Sequence, residues 1–332
     1  MSIAAQSADL DYLHVADPAH FVDGSIFDIF KKLRRDDPVH YCADSALGAY
    51  WSVTRYEDIM TVDTSHNIYS SAAALGGIVI DDAIQNDPDN DFQLENFIAM
   101  DQPRHTPQRK AVQPIASPPA IDSFKDLVRE RTARVLDSLP ERETFNWVEH
   151  VSIELTVQML ATLFDFPFED RHKLVRWSDI ATASEGSELI VDQKARIAEL
   201  MECLEYFTKL HNQRVKEDPK FDLISMMAHD PNTSNLAPQA YLANILLLIV
   251  GGNDTTRNSM TASIYGGSKF PEQIERLRAD RSLIPQMVSE VIRWQTPLAH
   301  MRRTALQDTE LGGKLIKKGD KVVMWYLSGN YD

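Results

Sequence analysis

Cysteine is scarce in this chain. Only Cys42 and Cys203 occur among 332 residues. Two isolated thiols, with no Cys-x-x-Cys pair, argue against a disulfide framework and a zinc ribbon. They fit a reducing compartment. Positive charge is also short: 34 Lys and Arg stand against 49 Asp and Glu, a formal net charge of -15. Such a surface argues against DNA or RNA as partner, because phosphate backbones demand cations. It still leaves room for a local basic patch toward an acidic protein. No apolar run reaches the roughly 18 residues of a membrane-spanning helix. The stretch Met1-Ser2-Ile3-Ala4-Ala5-Gln6-Ser7-Ala8-Asp9 has no basic start and no apolar middle. No signal peptide is therefore expected, and a cytoplasmic location is the simplest expectation. The nucleotide-binding strings Gly-x-Gly-x-x-Gly and Gly-x-x-x-x-Gly-Lys-Ser/Thr are missing. So is His-Glu-x-x-His among the ten histidines. A nucleotide-dependent oxidoreductase, a phosphotransferase and a metal hydrolase are all poor readings on that basis. There is no internal repeat and no low-complexity segment.

What is present is ordinary for a globular protein: 43% hydrophobic and 25% charged residues. Length alone suggests about two domains, as a prior only. A core of this size needs no disulfide staples. A helix-like segment Ser25–Lys32 is followed by a hairpin, Val39–Tyr41 and Ala49–Thr54, rich in aromatic and β-branched residues. Arg55–Met60 restarts helical spacing. Residues 71–98 read as an irregular loop with short helical pieces, and a long loop in a compact domain is often functional. From Ser117 onward the pattern is mainly helical: Pro119–Ser138, Trp147–Leu163, Asp170–Ser184, Val191–Glu217, Pro238–Phe270, Pro271–Asp280 and Ile284–Gln295. Pro238 suits a first helical turn. After Pro297 come short strands, Met301–Thr304 and Lys321–Tyr326, with turns at Gly312-Gly313 and Lys318-Gly319. The fold class is mainly α with a small β part.

Gly251-Gly252-Asn253-Asp254-Thr255-Thr256 follows the apolar run Ile245–Val250. Paired glycines, an acid and two hydroxyls are locally unfavourable inside a buried helix. Glycine costs roughly 1 kcal/mol against alanine there, and an unpartnered buried carboxylate costs more. Such conflicts mark sites. The glycines clear backbone for something flat and bulky. Thr255 stands four residues after Gly251, so its hydroxyl can take the Gly251 carbonyl or open the helix ladder. An acid-alcohol pair beside that turn can pass protons to a small oxygen species. The alternative is a packing groove for another helix, with Asp254 and Thr255 satisfying each other.

Other constellations are weaker alone. Glu290 and Arg293 sit three apart on one helical face, where an ion pair is possible, but most such pairs are exposed and contribute little. His105 and Arg109, in Pro103-Arg104-His105-Thr106-Pro107-Gln108-Arg109, also share a face. They suit a pair of carboxylates, or simply a surface helix start. Arg302-Arg303-Thr304-Ala305 enters a predicted strand.

Taken together, and in this order along the chain, these segments resemble the cytochrome P450 family from about Ala19 to the last residue. That family carries Ala/Gly-Gly-x-Asp/Glu-Thr-Thr on a long central helix. The resemblance implies a single P450 domain over 1–332 and haem b (iron protoporphyrin IX) as cofactor. Asp254 and Thr255 would relay protons to iron-bound dioxygen. Gly251 and Gly252 would lie against the haem. His105, Arg109 and Arg303 would bind its propionates, Arg302 remaining the alternative to Arg303 because a count from Glu290 favours it. Glu290 and Arg293 would form a buried structural pair. Leu247, Val250, Leu298 and Met301 would line the substrate pocket, core packing being an equal reading for Leu247 and Val250. The loop at 71–98 and the Trp177 region would bound that pocket.

The family also places an axial cysteine in a Phe-x-x-Gly-x-x-x-Cys loop downstream of Glu-x-x-Arg, and its thiolate pushes electron density that favours oxygen cleavage. No such loop occurs here, and neither Cys42 nor Cys203 has its glycine-rich setting. Ser328-Gly329-Asn330-Tyr331-Asp332 resembles the family's Ala-Asn-Arg-Asp stretch, which precedes that loop. The expectation is a fragment incomplete at its C-terminus, lacking the ligand loop and last helix, with weak or no haem binding and no activity by itself. A non-catalytic helical remnant is the second reading.

Longer strings, Gly251–Met260, Pro297–Thr304 and Lys321–Tyr326, look like the bacterial alkane and fatty-acid terminal hydroxylases. That implies hydroxylation at a chain end of an apolar small molecule. It uses O2 and electrons that come from NAD(P)H through a ferredoxin reductase and a ferredoxin.

Overall fold

The computed structural model describes residues 14–81, 94–183, 188–190 and 192–332. The chain divides into two compact units. One comprises Met1–Gln93, Ile98–Gln102 and Leu298–Asp332, the other Leu94–Phe97 and Pro103–Pro297.

Alternation of side chains builds the first unit. Its strands are β1 (Val39–Cys42), β2 (Tyr50–Val53), β3 (Tyr69–Ser70), β4 (Met301–Ala305), β5 (Thr309–Leu311), β6 (Lys314–Ile316) and β7 (Lys321–Met324). Five of them form one sheet in the order β1-β2-β7-β4-β3. β2 and β7 run parallel, and the other neighbours are antiparallel. β7 is central, and all four of its residues are buried. Successive residues of a strand face opposite sides, and two cores follow. Val323 and Trp325 join Phe30, Leu33, Cys42 and Tyr50 on one face. Val322 and Met324 join Val39, Val53, Ile59 and Tyr69 on the other. The predicted hairpin is the β1–β2 pair, in register Val39↔Val53. β5 and β6 pair across the Gly312-Gly313 turn. The turn is visible in the sequence, but its strands are too short and charged to be read there.

The second unit is helical around one rod, Pro238–Lys269, of 32 residues. At about 1.5 Å per residue it is about 48 Å long. Its buried residues concentrate between Tyr241 and Asn253, with only Ala262 beyond. The expected helix Pro119–Ser138 is two, Pro118–Ser123 and Lys125–Asp137, broken at Phe124. The segment from Trp147 starts as a wide π turn, Val148–Ile153, before the α-helix Glu154–Phe164. The expected helices from Asp170 and Val191 run His172–Thr182 and Gln193–Arg214. A helix absent from the sequence reading, Leu223–His229, is capped by Asp222, whose carboxylate accepts from Ser225 N–H at 2.8 Å.

One expectation needs correction here. Trp177 is fully buried among Phe166, Tyr206 and Phe207, so it is core rather than pocket wall. Of the loop at 71–98, residues 82–93 lie outside the described residues, while the short pieces Ala73–Leu75 and Phe97–Ala99 form as expected.

Candidate functional site

The two glycines of the central helix do different things. A methyl group at Gly252 would come 2.7 Å from Leu160 Cδ2, so Gly252 allows the Glu154–Phe164 helix to approach closely. A methyl at Gly251 would meet nothing within 4 Å. Gly251 is exposed in mid-helix, directly after Ile249 at 0% exposure and half-buried Val250. The packing-groove reading therefore holds at Gly252, and bare backbone is left at Gly251. Leu247 is likewise half-buried on this helix.

Thr255 Oγ1 donates to the Gly251 carbonyl at 3.0 Å, and Ser259 Oγ donates to the Thr255 carbonyl at 2.8 Å. The helix stays α throughout, so the threonine takes the carbonyl without opening the ladder. Asp254 does not pair with Thr255. It accepts from Arg257 Nη2 at 2.6 Å, and Arg257 also holds Asp179 at 3.1 Å through both terminal nitrogens. Burial alone would lower the Arg257 guanidinium, but the Asp254 and Asp179 carboxylates outweigh it and hold it above its ordinary value. Two acids around one cation give a cluster of net negative charge. Asp179 is not legible as a partner from sequence spacing, whereas Arg257 stands at i+3 from Asp254, the spacing of a helical ion pair.

The helix His105–Val112 belongs to the same unit. Its His105 ring lies 6.4 Å from the Phe97 ring, centroid to centroid, and Arg109 is exposed. A residue that sequence reasoning missed ties this region to the central helix. Asn244 is buried, accepts from Phe97 N–H at 2.9 Å and donates to Gln108 Oε1 at 2.8 Å. A polar residue inside the apolar stretch Leu242–Leu248 is the signal that could have found it.

Arg302 and Arg303 lie in the first unit and face opposite sides of β4. Arg303 is held by Asp63 at 2.6 Å. Arg302 is buried, at 5% exposure, and its guanidinium lies against Gly76, where a methyl would fall 2.0 Å from Nη2. Leu298 is exposed and Met301 half-buried at the start of this segment. The Glu290–Arg293 pair forms, with contacts of 2.8 and 2.7 Å, but its side chains are 61% and 41% exposed. The expectation of a buried pair is corrected: no residue of the helix Ile284–Gln295 is buried.

The family model described as Cytochrome P450 matches residues 24–332. The chain belongs to the cytochrome P450 family. Its fold is that of solved P450 structures. Cytochrome P450-153 from Novosphingobium aromaticivorans superposes with a TM-score of 0.88 at 44% identity, covering 96% of this chain and 79% of that one. CYP153D17 from Sphingomonas sp. PAMC 26605 gives a TM-score of 0.88 at 47% identity, covering 97% of this chain and 80% of that one. Among curated proteins, linalool 8-monooxygenase of Pseudomonas putida is 32% identical over 92% of this chain and 76% of its own length. This chain spans about two thirds to three quarters of the curated P450s it matches. As a P450 it belongs to a family of haem-dependent oxidoreductases.

Each unit by itself offers a feature that suits part of a haem: bare backbone at Gly251 in the helical unit leaves room for a flat group, and Arg302 in the sheet unit is a buried cation set against Gly76. Both cysteines are buried, each in the core of its own unit. Cys42 packs in the sheet core, 3.8 Å from Ser52 Oγ. Cys203 is fully buried in the Gln193–Arg214 helix, and burial pushes its thiol well up, away from the ionised form. No helix among the described residues is long and apolar enough to cross a membrane.

Proposed function

We propose that this chain carries the oxygen-handling and propionate-binding residues of a haem-thiolate monooxygenase acting at the terminal carbon of medium-chain alkanes or fatty acids. The observation that carries this reading is the juxtaposition on the central helix of uncovered backbone at Gly251, the Thr255 hydroxyl on its carbonyl and the Asp254–Arg257 pair, joined by Asp179 from the His172–Thr182 helix. Bound haem supplies the redox chemistry that splits dioxygen with two electrons and two protons.

The chain's own residues have separable jobs. Asp254 holds a place for a proton at its carboxylate, and Arg257 fixes that carboxylate until it is released. Thr255 Oγ1 accepts a proton from one side while donating its own to the other, because a hydroxyl is both donor and acceptor. His105 and Arg109 in the helical unit, and Arg302 or Arg303 in the sheet unit, are the propionate-binding candidates; Arg303 is held by Asp63, and Arg302 donates to the Leu75 and Val79 carbonyls. Leu247 and Val250 in the helical unit, and Leu298 and Met301 in the sheet unit, are the apolar side chains proposed to meet the substrate, and terminal attack needs the space offered to it to be narrow.

Likeness to the alkane and fatty-acid hydroxylases in Gly251–Met260 and Pro297–Thr304 supports the substrate class. Electrons come from a ferredoxin and its NAD(P)H-dependent reductase.

The test joins the chain to the C-terminal piece of the Novosphingobium P450-153 that carries the ligand loop. This completed chain is expected to show the red-shifted Soret band of a thiolate-ligated ferrous-CO haem and to convert octane or dodecanoic acid to the terminal alcohol. Thr255→Val, which keeps shape and removes the hydroxyl, lowers product formed per NAD(P)H consumed by on the order of tenfold or more. Oxidation only at interior carbons, or an unchanged yield in Thr255→Val, would remove the terminal preference or the threonine from the proposal.

A further inference from the structure

The β1–β2 hairpin carries a buried polar cluster on one face. A strand repeats its facing every second residue, so His40 and Cys42 lie on the same side of β1. The register sets Ser52 opposite His40 and Tyr50 opposite Cys42, and directly opposed side chains are close neighbours. All four are buried, at 3% exposure or less. Tyr50 Oη accepts from the Ala16 N–H at 3.1 Å, and Ser52 Oγ accepts from Trp325 Nε1 at 3.1 Å. Each hydroxyl therefore still has its own proton to give, and Ser52 Oγ lies 3.8 Å from Cys42 Sγ. His40 Nδ1 meets Asp37 Oδ2 at 2.9 Å, while Lys314 holds the other oxygen of that carboxylate at 2.9 Å. The second ring nitrogen, Nε2, is buried with no hydrogen-bond partner. Burial alone would lower the His40 ring, but Asp37 and Cys42 outweigh it and raise it to about 9, so at neutral pH Nε2 carries a proton. Burial alone would raise the Cys42 thiol, but the His40 ring and the Tyr50 and Ser52 hydroxyls outweigh it and hold it below its ordinary value. A thiolate beside a cation is the reactive form of cysteine.

We propose that Cys42 is a modification site for hydrogen peroxide, with His40 as its proton donor. The Cys42 sulfur attacks one peroxide oxygen, and the S–O bond forms as the O–O bond breaks. The leaving hydroxide takes the proton from His40 Nε2 and departs as water. The sulfur gives up two electrons, and the peroxide is reduced by the same pair. The product is a sulfenic acid, and Asp37 keeps the neutral imidazole in place. Cys42 closes β1, at the edge of the five-stranded sheet, between exposed Tyr41 and exposed Ala43. Such strand ends open locally far more readily than a core, and peroxide is little larger than water. The added oxygen enters the core shared with Phe30, Leu33 and Trp325, so the modification loosens the sheet unit. No part of the step involves haem, so it stands or falls separately from the enzymatic reading.

The test treats the 332-residue chain with hydrogen peroxide in the presence of dimedone, which traps sulfenic acids, and reads each cysteine by peptide mass spectrometry. Cys203 is the internal comparison, because it is fully buried in the Gln193–Arg214 helix and burial pushes its thiol well up. The adduct is expected on Cys42 at a rate on the order of tenfold or more above that of Cys203. His40→Gln removes the cation and is expected to slow labelling of Cys42 by on the order of tenfold. A histidine that merely held the strand would give the opposite sign, since a loosened strand exposes the sulfur and speeds labelling. Amide exchange along β1 measures that loosening in the same sample. Should His40→Gln not fold, Tyr50→Phe keeps the ring in the core, removes one donor proton and is expected to slow labelling by a smaller factor. Equal labelling of the two cysteines, no adduct on Cys42, or undiminished labelling in a folded variant would each overturn the proposal.

Discussion

A methyl group at position 76 has nowhere to go. Gly76 has φ of +106°, a region that side chains rarely adopt, and its added carbon would overlap the Arg302 guanidinium. Gly76→Ala is expected to lower stability by about 1–3 kcal/mol, measured by urea unfolding. It should also weaken haem uptake by the completed chain if Arg302 is the propionate ligand. Asp37 gives a second test at this scale. It accepts from His40 and Lys314, each at 2.9 Å. Burial alone would raise its carboxyl, but those two partners outweigh burial and lower it below 3.8. A depressed folded value gives stability that is present above the unfolded value and is lost as pH falls through the folded one. Asp37→Asn is therefore expected to cost about 1–3 kcal/mol at pH 7, with the gap to the parent closing as pH drops below 3.8. A gap that stays constant into acid would show that the charge of Asp37 contributes nothing.

At the scale of the element, Asn244 holds two segments to one helix. Asn244→Ala leaves the Phe97 N–H and Gln108 without their buried partner, and a loss of about 1–3 kcal/mol is expected. Amide exchange should quicken first around Phe97 and at the start of the His105–Val112 helix. Unchanged exchange there would mean that Asn244 does not position that helix. The helix itself was readable, because His105-x-x-x-Arg109 after a proline is a local pattern. So were the bounds Ile284–Gln295, where an apolar stripe meets a proline at each end. Asn244 was hidden because its partners are distant in sequence. The exposure of Glu290 and Arg293 was hidden too: spacing fixes that they meet, while burial depends on what else covers the face. Leu223–His229 escaped because a seven-residue helix has too few turns to show a period. β5 and β6, three residues each, escaped for the same reason.

At the scale of the molecule, a chain of net charge -15 would meet the acidic ferredoxin proposed above through a local basic surface. Electron transfer to the completed chain is accordingly expected to fall as salt rises, and salt-independent rates would exclude that mode of contact. The central claim is simpler: haem lies against the backbone bared at Gly251. Gly251→Leu tests it with little risk to the fold, since nothing lies within 4 Å of the added carbon and leucine gains up to about 1 kcal/mol over glycine in a helix. The decisive measurement is a haem titration of the completed chain, parent against Gly251→Leu, beside urea unfolding of both. A variant at least as stable as the parent that has lost haem uptake is the expected result. Equal haem affinity in the two proteins would place the cofactor elsewhere and contradict the proposed site.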